Sequence, residues 1–499
     1  MANKKALFLY LFVVAMLLPL LVMRDFMPAN ELRYLSIADE ALREGHLFVF
    51  TNHGVPYADK PPLYLWIVMA SRWLFGQHLM LILSLFSLVP ALVITETMAR
   101  WSALEDRQSQ VLRMVLLSNI LFVISALTLR MDMLMTMFIV LASRTFYDAY
   151  EQHRRIPLRF GLYLFLGMFT KGPLGLMLPL AFILTFLWWK RDLRHFWHVF
   201  DLRTIAIVGG LCALWLTAVY HEGGTAYLYN LVVYQTIGRA FLSFHHRHGL
   251  FYYCLLIWPL LIPWLLVIPG ALLKSLRHDA HESDVTLFMA AATLSGFVML
   301  SVISSKLSIY LLPLFPFLFT LAVRCFCAPY VSIRMGRVGE TLIRVGLVVA
   351  GVLYQAGLPA LSMLKHEDDL PVDYRGYYIA AAIVLSVFGI IAIVYDGRHH
   401  RYRTVRTLFV GLYVAVFVLS LARPGLNTLF GYRALCEQAT QLARQHHVTT
   451  FAAVGLKHAA AMDVYLHHPV RVYPAATPAD SLPRPAVILY PKGPRYLAR

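Results

Sequence analysis

The chain is 499 residues long, 59% apolar and 14% charged, with a mean hydropathy of +0.63. Soluble domains carry about 25% charged residues, so this composition excludes an ordinary globular protein in water and indicates a polytopic membrane protein. The formal charge of +17 would suit nucleic acid only if the basic residues formed one patch, and they are spread between apolar runs instead.

In chain order, Lys4 and Lys5 precede an apolar run over 6–23. No small-x-small site follows it cleanly, so a retained anchor is expected rather than a cleaved signal peptide. Residues 24–75 then break the apolar pattern. Glu31 to Glu44 has helical spacing, with Leu32, Leu35, Ala38 and Leu42 on one stripe. Arg33, Ser36, Glu40 and Arg43 lie away from it, and Gly45 is the stop. Such a helix is expected to lie in the membrane interface, its apolar side in lipid or against protein. Pro61 suits the first turn of a second helix, since its missing N–H would be unpaired there anyway. That helix, 62–75, is too short to cross about 30 Å of hydrocarbon at roughly 1.5 Å per residue.

Apolar runs recur over 79–99, 114–129, 131–148, 159–170, 173–189, 204–220, 250–272, 286–303, 307–324, 343–361, 377–395 and 406–422. A spanning helix needs roughly 20 apolar residues. With 6–23 these predict an all-α transmembrane domain over 1–422 with about thirteen spans. Alternate connections hold the arginines and lysines, for example Arg107 and Arg113, Arg154 and Arg155, Lys190 and Arg191, Lys274 and Arg277, Arg334 and Arg337, and Arg398 and Arg401. This is the positive-inside pattern; it absorbs most of the basic excess and leaves no nucleic-acid surface. Cys212, Cys254, Cys325, Cys327 and Cys436 form no disulfide framework. An odd number of spans sets residues 423–499 outside. They read as a small α/β domain, with a helix near Ala434–His446 and strands at Phe451–Val454, Arg471–Tyr473 and Ala486–Tyr490.

This topology gathers five polar clusters on the outer face: residues 24–75, Arg130-Met131-Asp132, Lys171-Gly172-Pro173, the loop from His221 to Gly249, and Ser304-Ser305-Lys306. Any one of them suits a solvated or snorkelling side chain. Five on one face point to a site, because ionisable groups at membrane depth are expensive. A transporter or flippase would also place polar groups among spans, but it predicts inverted repeats and broken helices near the midplane, and neither is visible here.

The residues NELRY, YADKPPLYLW, RMD, FTKGP, QTIGRAFLSFHHRHGLFYY and SKLSIYLLPLFP, in this order over roughly 6–325, resemble the GT-C class of membrane glycosyltransferases. The similarity is to the ArnT-like (aminoarabinose transferase) and protein O-mannosyltransferase group. The resemblance implies a polyprenyl-phosphate-linked sugar as donor and inversion at the anomeric carbon. It also implies transfer on the periplasmic side of a bacterial inner membrane, to a glycolipid such as lipid A or to a protein.

The leaving polyprenyl phosphate needs fixed cations, and Lys60, Arg33, Arg130, Lys171, Arg239, Arg247 and Lys306 are on the outer face. By resemblance Lys60 and Arg239 hold the donor phosphate with Lys306 beside them, while Tyr34, Tyr57 and Tyr310 line the sugar pocket. A hydroxyl acceptor needs a general base, and the family motif begins Asp-Glu where this chain has Asn30-Glu31. Either Glu31 or Asp132 is then the base, or the acceptor is already anionic, as a lipid A phosphate is. In the aminoarabinose branch a Glu before Lys-Pro-Pro and a His hold zinc. Here Asp59 stands in the first place and the His is missing, with His245, His246 and His248 nearby as substitutes. Clustered His beside Arg more often reads as a headgroup-facing patch, so His245 and His246 are weak candidates and a divalent metal is not the expected reading.

Overall fold

The structure, a computed structural model, describes residues 2–199, 201–238, 248–275, 283–303, 305–327, 334–355, 375–422, 427 and 431–491. Helix α1 (Ala2–Met23) is apolar all round, as a membrane span is. A short π-helical turn, Pro28–Leu32, leads into α2 (Arg33–Glu44), which Gly45 ends in the left-handed region at φ 76°. A two-residue hairpin, β1 (Thr51–Asn52) with β2 (Val55–Pro56), precedes α3 (Leu63–Phe75). Both helices were expected in a membrane-surface position.

Much of the polar side of α2 is covered, although Arg43 at its end is exposed. Ser36 and Glu40 are buried, and the apolar side packs with α3 through Ile37, Ala38, Leu65 and Val68. The hairpin and the C-terminal residues cover the polar stripe, because Glu40 binds the hairpin and Ser36 binds Asp463.

Next come α4 (Met80–Trp101), α5 (Asp106–Leu117), α6 (Ile120–Leu127), α7 (Met131–Glu151), α8 (Arg159–Lys171) and α9 (Leu174–Trp189). The run expected as one span over 114–129 is two helices bent by 67°. Asn119 makes the break: its carbonyl oxygen caps α6 by accepting from Phe122 N–H at 3.1 Å, and its amide donates to the Leu260 carbonyl at 2.7 Å. A one-turn helix, α10 (Phe196–Val199), precedes α11 (Leu202–Tyr229), which is interrupted at Gly224 (φ 68°) and continues as a π-helix to Gly238. The run over 250–272 is also divided, into α12 (Tyr252–Leu260) and α13 (Val267–Ser275). Pro263 lies between them and cannot donate an N–H to a continuing helix.

The remaining long helices are α14 (Asp284–Val302), α15 (Phe315–Cys327) after a 3-10 segment at Ser308–Leu314, α16 (Arg334–Gln355), α17 (Arg375–Gly397) and α18 (Arg401–Ser420). Among the described residues eight helices are long and apolar enough to cross a membrane, or nine with the bent pair. The expected spans over 159–170 and 173–189 are helices of 13 and 16 residues. The membrane core is aromatic: Trp101, Tyr147, Phe186 and Phe317 gather round Phe288, with the Trp101 and Phe288 ring centroids 5.0 Å apart. Such contacts matter here because lipid tails are as apolar as the side chains, and close packing has to hold the helices together.

The last elements are α19 (Arg433–Gln445), β3 (Phe451–Val454), the short helix α20 (Asp463–Leu466), β4 (Val470–Tyr473) and β5 (Val487–Leu489). The strands form a parallel sheet in the order β4-β3-β5, with Phe451 opposite both Val470 and Val487. Cys436, Ala439, Phe451, Met462 and Leu489 make its core. Burial pushes the Cys436 thiol up to about 12, so it stays a neutral, apolar filler.

This sheet unit is tied to the start of the chain by Asp25. The buried Asp25 carboxylate accepts from Arg433 N–H at 2.9 Å, at the first residue of α19, and from the Tyr465 hydroxyl. An anion at a helix N-terminus is favoured by the free N–H groups there. Asp25→Ala removes these charge-assisted hydrogen bonds, each worth about 1.5–3 kcal/mol. The expected result is faster hydrogen exchange over 433–466 with the transmembrane helices unchanged; equal exchange in the variant would show that the docking rests elsewhere.

Candidate active site

The site is built where α7 begins and α8 ends. Asp132, in the first turn of α7, and Lys171, the last residue of α8, form a buried ion pair, their side chains 3% and 6% exposed. Each charge sits at the helix end that favours it, the carboxylate at an N-terminus and the ammonium at a C-terminus. Arg130 caps α7 in an extended conformation and donates from Nε to the other Asp132 oxygen at 3.1 Å. The Lys171 ammonium also lies 4.5 Å from the centre of the Tyr310 ring. Lys60 is near enough to act electrostatically on Asp132.

Three glycines fix Lys171. Gly172 turns the chain at φ 107°, and α8 and α9 meet so closely that a Cβ on Gly175 would fall 2.1 Å from the Gly167 carbonyl carbon.

The residues 24–60 form the second wall. Arg33 lies between two tyrosines, its guanidinium carbon 5.5 Å from the Tyr34 ring centre and 5.9 Å from that of Tyr57, with a buried Nε that has no hydrogen-bond partner among the described residues. Tyr34 packs edge-on against Tyr64 at 5.6 Å. Asn30 is half-buried in the π-helical turn.

Glu31, expected as a candidate base, has a different surrounding. Its carboxylate takes a bidentate Arg24 guanidinium at 2.7 and 2.8 Å, Met27 N–H at 2.8 Å and Leu129 N–H at 2.8 Å. Four donors occupy both oxygens, so no lone pair is left to take a proton from an acceptor. The bond to Leu129 instead fixes the strand entering Arg130 and Asp132.

Three groups that the sequence did not single out hold this wall in place. Glu222 of α11 accepts from the successive N–H groups of Leu47, Phe48 and Val49 at 2.9–3.1 Å, the closest of its contacts to each. Tyr227 accepts from Phe50 N–H at 3.1 Å and donates to the Tyr57 carbonyl at 2.9 Å. Glu40 accepts from the Thr51 hydroxyl and from the N–H groups of His53 and Gly54 at 2.6–2.7 Å. All three lie within stretches already marked as polar, but backbone amides as partners leave no sequence signal that would single them out.

Lys306 is buried, and its ammonium donates to the carbonyls of Ile303 and His248 at 2.6 and 3.2 Å. Asp59 lies within electrostatic reach of Tyr227. Arg239, Arg247, His245 and His246 lie outside the described residues. Among the described residues no group of three His, Cys, Asp or Glu side chains has the arrangement to hold a metal.

Two consequences are measurable. Breaking a buried ion pair from one side costs about 3–5 kcal/mol, so Glu31→Gln should lower the melting temperature in detergent sharply, and Arg24→Met with Glu31→Leu should recover part of the loss. A melting temperature unchanged in Glu31→Gln would show the pair to be dispensable. The second concerns Glu40. Burial pushes its carboxyl up, but the Thr51 hydroxyl and the Gly54 and His53 N–H groups outweigh that and hold it below the ordinary 4.5. The charged form therefore stabilises the hairpin above pH 4.5, and this support is lost as pH falls through the lowered value. Amide protection at His53 and Gly54 should fall in that acid window, and Glu40→Gln should abolish the dependence.

No family model matches the chain. It is 26% identical over 324 residues to the undecaprenyl phosphate-alpha-4-amino-4-deoxy-L-arabinose arabinosyl transferase of Erwinia tasmaniensis, a match covering 63% of this chain and 58% of that one. It is 25% identical over 323 residues to the Yersinia pestis protein of the same name, covering 62% and 56%. The matches thus span less than two thirds of those relatives' length. Among solved structures the chain superposes on ArnT from Cupriavidus metallidurans bound to undecaprenyl phosphate with a TM-score of 0.73, at 18% identity, over 94% of this chain and 86% of that one. The apo form of the same protein gives 0.71. The chain has the fold of ArnT, and its sequence is similar to those aminoarabinose transferases over part of their length.

Proposed function

We propose that the chain is an inverting glycosyltransferase that moves a sugar from a polyprenyl-phosphate carrier to a glycolipid of the lipid A type. The observation that carries this reading is the buried Asp132 carboxylate holding Lys171 and Arg130 beside Tyr310 and Lys60, within an ArnT fold. The relatives' names supply undecaprenyl phosphate as the carrier, and the Cupriavidus metallidurans structure holds undecaprenyl phosphate itself.

In this reaction an acceptor oxygen attacks the anomeric carbon while the bond from that carbon to the phosphate oxygen breaks. The electron pair leaves with the polyprenyl phosphate, whose added negative charge needs cations already in position. Lys60, Lys171 and Arg130 fill that role, with Arg33 free to meet a phosphate or sugar oxygen through its unpartnered Nε. Asp132 orients Lys171 and Arg130 in a low-dielectric site. Tyr34, Tyr57 and Tyr310 shape the sugar pocket.

Two observations support an acceptor that is already anionic. Each Asp132 oxygen carries a cation, and each Glu31 oxygen carries two donors. Asn30 stands where the family keeps a carboxylate, and a phosphate oxygen has no proton to surrender. The reading further includes about thirteen crossings, the short and bent helices completing those that fall below full length. It sets residues 24–75 and a domain over 423–499 on the periplasmic side of a bacterial inner membrane, in keeping with the positive-inside pattern.

The test is transfer from a polyprenyl-phosphate sugar to lipid A, followed by mass spectrometry. Lys60→Ala should lower kcat by about 10²–10³ with the melting temperature unchanged, and near wild-type turnover would place the phosphate elsewhere. Asn30→Asp, which adds a like charge beside an anionic acceptor, should also slow transfer. A rate that rises instead would favour a hydroxyl acceptor.

A further inference from the structure

A cleft of about 980 Å³ lies between the sheet unit and the corner where α3 meets α4. Arg72 and His78 line it from the helix side, and Arg433, Arg444 and Glu437 from α19. Three arginines and one glutamate line it, with His447, His467 and His468 at its rim; Arg72 also pairs with Asp39 at 3.5 Å and Arg433 with Asp25 at 3.8 Å, while Arg444 makes no ion pair among the described residues. Guanidinium groups in this number suit the oxygens of a phosphate.

His78 adds a second, independent observation. Its side chain is 3% exposed, and Nε2 lies 2.9 Å from an Asp39 oxygen. The other ring nitrogen, Nδ1, is buried without a hydrogen-bond partner among the described residues. Buried polar atoms normally have partners. With Asp39 accepting from Nε2–H, Nδ1 is left as an acceptor, and a sugar hydroxyl is the kind of donor it lacks.

The source of the ligand follows from the residues between Arg72 and Gln77. Trp73, Leu74 and Phe75 are 76%, 63% and 47% exposed. An aromatic and apolar tip at the end of a surface-lying helix sits at the headgroup boundary of a bilayer, so the cleft opens beside lipid.

We propose that this cleft is a second binding site, separate from the Asp132–Lys171 centre, for the phosphate-bearing sugar headgroup of a membrane lipid. It concerns binding alone and stands whether or not transfer occurs.

Hydrogen exchange of the full chain in detergent tests it, with diphosphorylated lipid A, its dephosphorylated form and glucose 6-phosphate as probes. Lipid A should protect 433–449 and 72–78. Arg444 makes no ion pair among the described residues, so Arg444→Gln should fold normally and need about tenfold more lipid for equal protection, one charge-assisted hydrogen bond being worth roughly that factor. Arg72→Gln with Arg444→Gln should need about a hundredfold more on the same basis. Lys60→Ala, which alters the other site, should leave this protection intact. Equal protection in Arg444→Gln and the wild type, or by the dephosphorylated lipid, would overturn the proposal. Glucose 6-phosphate protecting at the same concentration as lipid A would assign the cleft to a soluble phosphosugar and overturn the lipid source.

Discussion

A charge buried in a membrane protein has to be matched within a few ångströms, and the Asp132–Lys171 pair shows how far that constraint shapes this chain. Neither residue has water as an alternative, so α7 must begin and α8 must end where the two side chains meet. The tight turn at Gly172 and the close approach of Gly167 to Gly175 serve that meeting. Arg130 then joins the same carboxylate, and the result is a cationic cluster held in place before any substrate arrives. Preorganisation of this kind suits a leaving phosphate, since the cations need no rearrangement as charge develops.

The second carboxylate, Glu31, carries the same principle into the neighbouring wall. Saturated by Arg24 and two backbone N–H groups, it ties the residues after α1 to those entering α7. Glu222 and Glu40 do comparable work for the loop between α2 and α3 through backbone amides. Three glutamates thus serve as anchors of irregular backbone. This is economical where segments without regular structure must still satisfy their N–H groups. Glu31 and Asp132, the two carboxylates that read as possible bases in the sequence, are thus both occupied by donors.

The sheet unit docks on the same 24–75 segment. Asp25 receives the N-terminus of α19, and Ser36 donates to Asp463 at 2.9 Å. Burial raises the Asp463 carboxyl above its ordinary range, while the Ser36 hydroxyl and nearby His53 work the other way. One surface segment thus contacts both the transmembrane helices and the sheet unit, and the basic cleft lies along that junction.

The sequence alone determined the membrane class, since apolar runs near 20 residues separated by basic connections admit few other readings. It also determined the amphipathic helices between residues 31 and 75 and the ordered motifs that resemble the ArnT-like group, because those depend on local spacing and residue type. Tertiary structure decided where the runs break. Asn119 and Pro263 interrupt apolar stretches that hydropathy reads as continuous, since a cap and a missing donor act on hydrogen bonds rather than on polarity. It likewise decided which acidic and basic residues belong together. Glu31 pairs with Arg24 while Asp132 pairs with Lys171, 39 positions away. Lys306 spends its donors on carbonyls. Such pairings follow from which helix ends meet in space, and a list of charges on one face carries no record of that.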